Sequence, residues 1–328
     1  MSINRNKLKN KKALVNETQS SVANAEPNLE VEFCGKKFKN PIIAASGTFG
    51  FGREYNQFYD VSMLGGISTK GLTLEPREGN VGCRIAETAS GMLNCVGLQN
   101  PGGKRFIEEE LPFLDSLDTI ILANVAGNTE EDYVALASML AKTSVDMLEL
   151  NISCPNVKEG GIAFGVNPCS VESIVKKVKA VSGDKPLVVK LSPNVASIRD
   201  NALAAEQGGA DAISLINTLT GMAIDYKTRR PILGNITGGL SGPAIKPVAL
   251  RQVYEAKRAV KIPIIGMGGI MTASDVMEFM IAGASLVQVG SANIYNPMAI
   301  KNIILELTIL LKECNIVDVA DLVSTLRA

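Results

Sequence analysis

The segment Asn151-Ile152-Ser153-Cys154-Pro155-Asn156 puts a thiol just beyond a short apolar run, at the mouth of a loop carrying Lys158-Glu159-Gly160-Gly161. A thiol with an ordinary pKa of about 8.5 can accept a proton near neutral pH. Rivals for that work are few, because the 328 residues include no histidine. The missing imidazole excludes Ser–His and Cys–His catalysis and every histidine-ligated metal. Acid or base chemistry falls to Asp, Glu, Lys, Tyr or Cys. Position alone leaves Cys154 open between a proton acceptor and a small structural residue. The other cysteines, Cys34, Cys83, Cys95, Cys169 and Cys314, read as core or surface residues. No C-x-x-C pair writes an iron–sulfur or zinc site, and no metal site is expected.

A second set recurs at the ends of other apolar runs: Ser46, Lys70, Asn124, Asn151, Lys190, Asn217 and Thr218. Two lysines in a largely uncharged ring suit an anion or an electron-rich ring system. Several amides suit a ligand with many donors and acceptors, such as a flavin or a pyrimidine. A third set is glycine-rich: Gly268-Gly269-Ile270, Gly290-Ser291-Ala292 and Gly238-Gly239-Leu240-Ser241-Gly242. Glycines let backbone N–H groups approach a phosphate. The other reading is tight turns alone; the place of the first two sets, after the last two strands, favours phosphate.

These residues must be held by a regular scaffold. Eight short apolar runs read as buried parallel strands: Pro41–Ala45, Gly66–Lys70, Ile120–Val125, Met147–Asn151, Leu187–Leu191, Ala212–Ile216, Pro263–Met267 and Leu286–Gly290. Helical periodicity lies between them at Glu130–Lys142, Val171–Val181, Val195–Gly208, Lys246–Val260 and Ala273–Ala282, and follows the last at Ala299–Lys312. Eight βα units predict an α/β fold of the (β/α)₈ TIM-barrel type, with an open doubly wound sheet as second choice. Leu29–Phe33 and Lys37–Phe38 around Cys34-Gly35 predict a small N-terminal hairpin at the barrel bottom. Longer segments follow strands two, four and six, which places the insertions on the C-terminal face, where barrel enzymes keep their chemistry. Residues 1–28, basic then polar, predict a disordered arm, leaving 29–328 as one domain. The net charge is zero, which gives no support for nucleic-acid binding. No apolar run is long enough for a membrane span. Scattered cysteines without a signal peptide suit the cytoplasm.

In chain order, Ala45-Ser46-Gly47-Thr48-Phe49-Gly50, Thr69-Lys70-Gly71, Asn94-Cys95-Val96-Gly97-Leu98-Gln99-Asn100, the Cys154 motif, Val189-Lys190-Leu191-Ser192-Pro193-Asn194, Ile216-Asn217-Thr218, Gly268-Gly269-Ile270 and Gly290-Ser291 resemble the dihydroorotate dehydrogenase family. Each motif is weak alone, and the ordered set is specific. The resemblance implies oxidation of dihydroorotate to orotate in pyrimidine biosynthesis, with Cys154 as base. FMN would be held by Ser46, Lys70, Gly71, Asn124, Asn151, Lys190, Ile216, Gly242, Gly268, Gly269, Gly290 and Ser291. Substrate would be held by Lys70, Asn94, Cys95, Val96, Gly97, Leu98, Asn151, Asn217 and Thr218. A cysteine base without a membrane helix resembles class 1 of the family. Within it, Gly160–Gly165 and Gly239–Pro247 resemble class 1B, which passes electrons to NAD through a partner subunit carrying FAD and a [2Fe–2S] cluster. That implies a homodimer of this chain joined by two electron-transfer subunits, a heterotetramer. The competing readings are a class 1A-like homodimer that uses fumarate and, from a different class, a flavin-dependent tRNA-modifying reductase. Glu159 stands where relatives often have histidine.

Overall fold

A computed structural model describes residues 26–152 and 161–327. Eight parallel strands close into a barrel: Ile42–Ala44, Gly66–Ser68, Ile120–Val125, Met147–Asn151, Leu187–Lys190, Ala212–Leu215, Ile264–Met267 and Leu286–Val289. They are numbered one to eight below. Each pairs with its chain neighbours, and strand eight closes on strand one through Val287↔Ile42 and Val289↔Ala44. All eight stand within two residues of the runs expected from sequence. Their Val, Ile and Leu side chains, apart from the half-buried Ile120, are buried on both faces, against the barrel interior and against the outer helices.

The α-helices of ten residues or more are Glu130–Leu140, Pro168–Lys179, Ile198–Gln207, Lys246–Lys257, Ala273–Ala282 and Ala299–Glu313. Capping boxes start two of them, Thr129 with Asp132 and Thr272 with Asp275. The first βα unit has no α-helix. Its crossover holds only two 3₁₀ turns, Tyr55–Gln57 and Val61–Met63. Gly47, Gly50 and Gly52 all take positive φ there, which interrupts any helix before it can propagate.

At the opposite end of the barrel from the strand termini, Val31–Phe33 and Lys36–Phe38 form the expected hairpin. Cys34 and Gly35 turn with φ of 50° and 74°, the pattern of a two-residue turn matched to strand twist. The hairpin plugs the barrel bottom. Phe33 and Phe38 are fully packed and meet edge to face at 6.0 Å. Lys36 pairs with Asp146, just before strand four, and the Cys34 thiol lies 3.5 Å from the carbonyl of Asp211, just before strand six. Next to it, Asn28 is bonded to the C-terminal segment: its N–H donates to the Val317 carbonyl and its side chain to Asp318.

The insertions after strands two and six meet. Ile85–Thr88 and Gly91–Asn94 pair with each other, and Gly91–Asn94 also pairs with Thr237–Ser241, which pairs in turn with Leu219–Met222. The result is a four-stranded antiparallel sheet on the C-terminal side of the barrel.

Removing one ring from the bottom plug should be costly. Phe38→Ala is expected to lose about 3–5 kcal/mol of stability, read from urea unfolding. A loss below about 1 kcal/mol would show that the hairpin is not part of the core.

Candidate active site

Strand ends and loops converge on a cavity of about 1230 Å³, mouth included, at the C-terminal face. Strand one leads into it with Ser46, strand two with Lys70 and Gly71, strand four with Asn151 and strand five with Lys190. Strand six is followed by Ile216, Asn217 and Thr218, strand seven by Gly268 and Gly269, and strand eight by Gly290 and Ser291. The sheet over the barrel adds Asn94, Val96, Gly97, Leu98, Ser241 and Gly242. Sequence separations of well over a hundred residues collapse into one site.

Two expected site residues are not in the lining. Cys95 is fully buried with Ala86, Leu93 and Leu233. Asn94 and Val96 face the cavity, so alternation along the strand sends the residue between them to the other side. Asn124 lies beneath the floor. Its Nδ2 donates to Glu149 at 2.7 Å, and its Oδ1 accepts from Asn151 Nδ2 at 3.2 Å. It therefore supports a lining residue and is not one itself. Cys154, the expected base, lies outside the described residues.

The loops after strands six and seven press together closely. Gly269 has φ +81°, and a Cβ there would lie 2.8 Å from Lys246 Cβ and 2.9 Å from the Gly242 carbonyl oxygen. Gly242, at φ +98°, would place a Cβ 2.6 Å from Gly91 Cα. Only glycine fits, and bare backbone then borders the cavity, as a phosphate cradle requires. Lys246 does not supply that cradle's charge; it is bonded to Asp275 and Glu278.

Two residues that the motifs did not single out, Glu149 and Gln288, lie at the centre of the floor's polar network. Glu149 is wholly buried in the barrel interior. Its Oε2 accepts from Ser68 Oγ at 2.6 Å and Asn124 Nδ2 at 2.7 Å. Its Oε1 accepts from Ser214 Oγ at 2.8 Å and Gln288 Nε2 at 2.7 Å. Burial pushes this carboxyl up, but the positive charge of Lys190 and the bonds from Ser68, Asn124 and Gln288 outweigh it and hold it below the ordinary range. A sequence signal did exist. Met147-Leu148-Glu149-Leu150-Asn151 sets a lone carboxylate two residues before Asn151, on the same inward face.

A carboxyl whose pKa falls on folding stabilises the protein above its ordinary value, 4.5 here, and that stability is lost as pH drops through the folded value. Glu149→Gln leaves the Lys190 charge without its buried counter-charge, at a cost of about 3 kcal/mol near neutral pH. Thermal melts across the acid range should show the gap to wild type closing once Glu149 itself is protonated. A gap that stays constant into strong acid would mean that Glu149 is not ionised in the folded protein.

Among the described residues, no group of Cys, Asp and Glu could hold a metal ion, and no helix is long and apolar enough to cross a membrane. The family model described as Dihydroorotate dehydrogenase matches residues 28–311. Three relatives carry the name Dihydroorotate dehydrogenase B (NAD(+)), catalytic subunit. One, from Bacillus mycoides (strain KBAB4), is 60% identical over 286 residues, covering 87% of this chain and 92% of the relative. A second, from Geobacillus sp. (strain WCH70), is 57% identical over 294 residues, 89% of this chain and 94% of the relative. The third, from Thermoanaerobacter pseudethanolicus, is 53% identical over 300 residues, 92% of this chain and 99% of the relative. With a family match that spans the whole barrel and relatives more than half identical over most of the chain, the chain belongs to the dihydroorotate dehydrogenase family.

Proposed function

We propose that the chain is the FMN-binding catalytic subunit of an NAD-linked dihydroorotate dehydrogenase, oxidising (S)-dihydroorotate to orotate in pyrimidine biosynthesis. The observation that carries this reading is the convergence of Lys70, Asn94, Asn151, Lys190, Asn217 and Thr218 in one cavity. Two ammonium groups and three amides match a planar anionic pyrimidine lying against a second ring system.

The cavity fits FMN. The glycine backbones of the loops after strands six to eight suit its phosphate, and Ile216, Ile245, Met267 and Ile270 offer apolar surface to its ring. Gln288 Oε1 is buried without a partner among the described residues, which suits a ring N–H. FMN, when bound, supplies the acceptor for the hydride that leaves C6 of dihydroorotate. Cys154 takes the proton from C5, and the C5–C6 double bond of orotate forms as both hydrogens depart. Lys190 holds positive charge where electrons arrive. Lys70 meets the substrate carboxylate, and Asn94, Asn151 and Asn217 engage the amide edges and fix the tilt of the ring. The sheet above the barrel limits access of water.

Electrons would then pass to a separate subunit carrying FAD and a [2Fe–2S] cluster. Exposed Ile224, Tyr226 and Ile236 lie on the segment that also supplies Ser241 and Gly242 to the cavity, and they support docking of such a subunit there. The assembly is a heterotetramer built on a homodimer of this chain, in the cytoplasm.

In anaerobic mixing with dihydroorotate, the visible flavin absorbance of the wild-type chain should bleach as orotate forms. Cys154→Ala should slow that step about 10²–10⁴-fold near neutral pH while FMN content holds. An unchanged rate would remove Cys154 from the mechanism. NAD reduction should require the partner subunit; reduction of fumarate by the chain alone at a comparable rate would point to the homodimeric enzyme instead.

A further inference from the structure

Glu149 reaches neither solvent nor the cavity, yet two of its four donors are amides whose other ends matter. An ionised carboxylate accepts hydrogen bonds and donates none. Gln288 therefore turns Nε2 toward Glu149, at 2.7 Å, and its carbonyl oxygen away. That oxygen is buried and has no partner among the described residues, while Gln288 lines the cavity. Asn124 likewise turns Nδ2 toward Glu149, so its Oδ1 is presented to Asn151, whose Nδ2 donates to it at 3.2 Å. Asn151 also lines the cavity. One buried charge thus sets the donor and acceptor ends of two amides in the floor.

We propose that Glu149 is a positioning residue for the flavin site: it holds the Gln288 carbonyl oxygen ready for a ring N–H of the bound cofactor and aligns Asn151 through Asn124. The inference rests on the FMN reading above. Its charge has a second effect, since a negative group under the floor opposes the arrival of electrons in a ring above it and tempers the pull of Lys190. A neutral amide at position 149 can donate as well as accept. It would hold neither Gln288 nor Asn124 to one orientation.

The test compares Glu149→Gln with wild type and with Phe38→Ala, which destabilises the barrel from its far end, all as FMN-loaded chains. Glu149→Gln is expected to raise the FMN dissociation constant about tenfold, the equivalent of one hydrogen bond, and to shift the flavin midpoint potential to more positive values. Phe38→Ala should melt early and leave both quantities at wild-type values. If Glu149→Gln also only melts early, with affinity and potential unmoved, Glu149 is a structural carboxylate and the proposal fails. Should Glu149→Gln not fold, Gln288→Leu keeps the carboxylate and removes the acceptor. It should weaken FMN about tenfold, and unchanged affinity would equally overturn the proposal. A wild-type chain that holds no FMN overturns the cofactor reading itself, a result distinct from failure in the variants alone.

Discussion

A full negative charge at the centre of a barrel persists only when donors surround it and a positive charge stands near, because stripping a carboxylate of water costs several kcal/mol. Glu149 draws its donors from strand two (Ser68), strand three (Asn124), strand six (Ser214) and strand eight (Gln288), with Lys190 on strand five as the neighbouring cation. Five of the eight strands thus answer to one side chain on strand four. A slip of one residue in any of them would send its donor to the outer face and leave the carboxylate short. Registry of the barrel and electrostatics of the cavity floor are the same constraint. This also explains an interior unlike the branched aliphatic filling usual in such barrels: the polar layer is what lets a cavity with two lysines sit directly above a packed core.

The upper wall depends on a different kind of support. The sheet that joins the two insertions brings Asn94 over the floor and holds it there, with Asn94 Nδ2 donating to the Gly239 carbonyl at 3.2 Å. Beyond it the chain turns through Leu98, a non-glycine residue at φ 55°. Asn100 clamps that turn, donating to the Leu98 carbonyl and to Thr73 Oγ1 and accepting from the N–H groups of Thr73 and Gly102. Arg84 braces the same loop through Asn80, Gln99 and Glu78. The segment Asn94–Leu98 is therefore held both by the upper sheet and by the chain after strand two, suited to orienting a small planar ligand.

What the sequence revealed and what it hid follow from the range of the interactions involved. Barrel strands were legible because a parallel strand buried on both faces is a short continuous apolar run, and polar residues at the ends of such runs are locally conspicuous. Cys95 was misplaced because a contiguous motif does not say which of its residues point inward, and only pairing with Arg84 and the neighbouring strand fixes that. The first crossover carries no helical periodicity, in keeping with its three positive-φ glycines, Gly47, Gly50 and Gly52. The upper sheet was invisible, since Asn94 and Gly239 pair across 145 residues and nothing local encodes that partnership. Glu149 could be noticed as a lone carboxylate in an apolar strand, but its meaning resides in donors as far away as Gln288.

The missing histidine bears on how the proposed chemistry responds to pH. Without imidazole, no side chain in the protein has an ordinary pKa between about pH 5 and 8. Lysines and carboxylates ordinarily change charge well outside that window. A rise in rate with pH through the neutral range would then report a thiol losing its proton. Cys34 is unsuited to the part, since burial and the nearby Asp211 push its thiol up to about 12 and it sits at the barrel's far end. Cys95 is enclosed in the small cluster under the upper sheet. On the proposed mechanism the pH profile belongs to Cys154, and no imidazole is present to titrate alongside it.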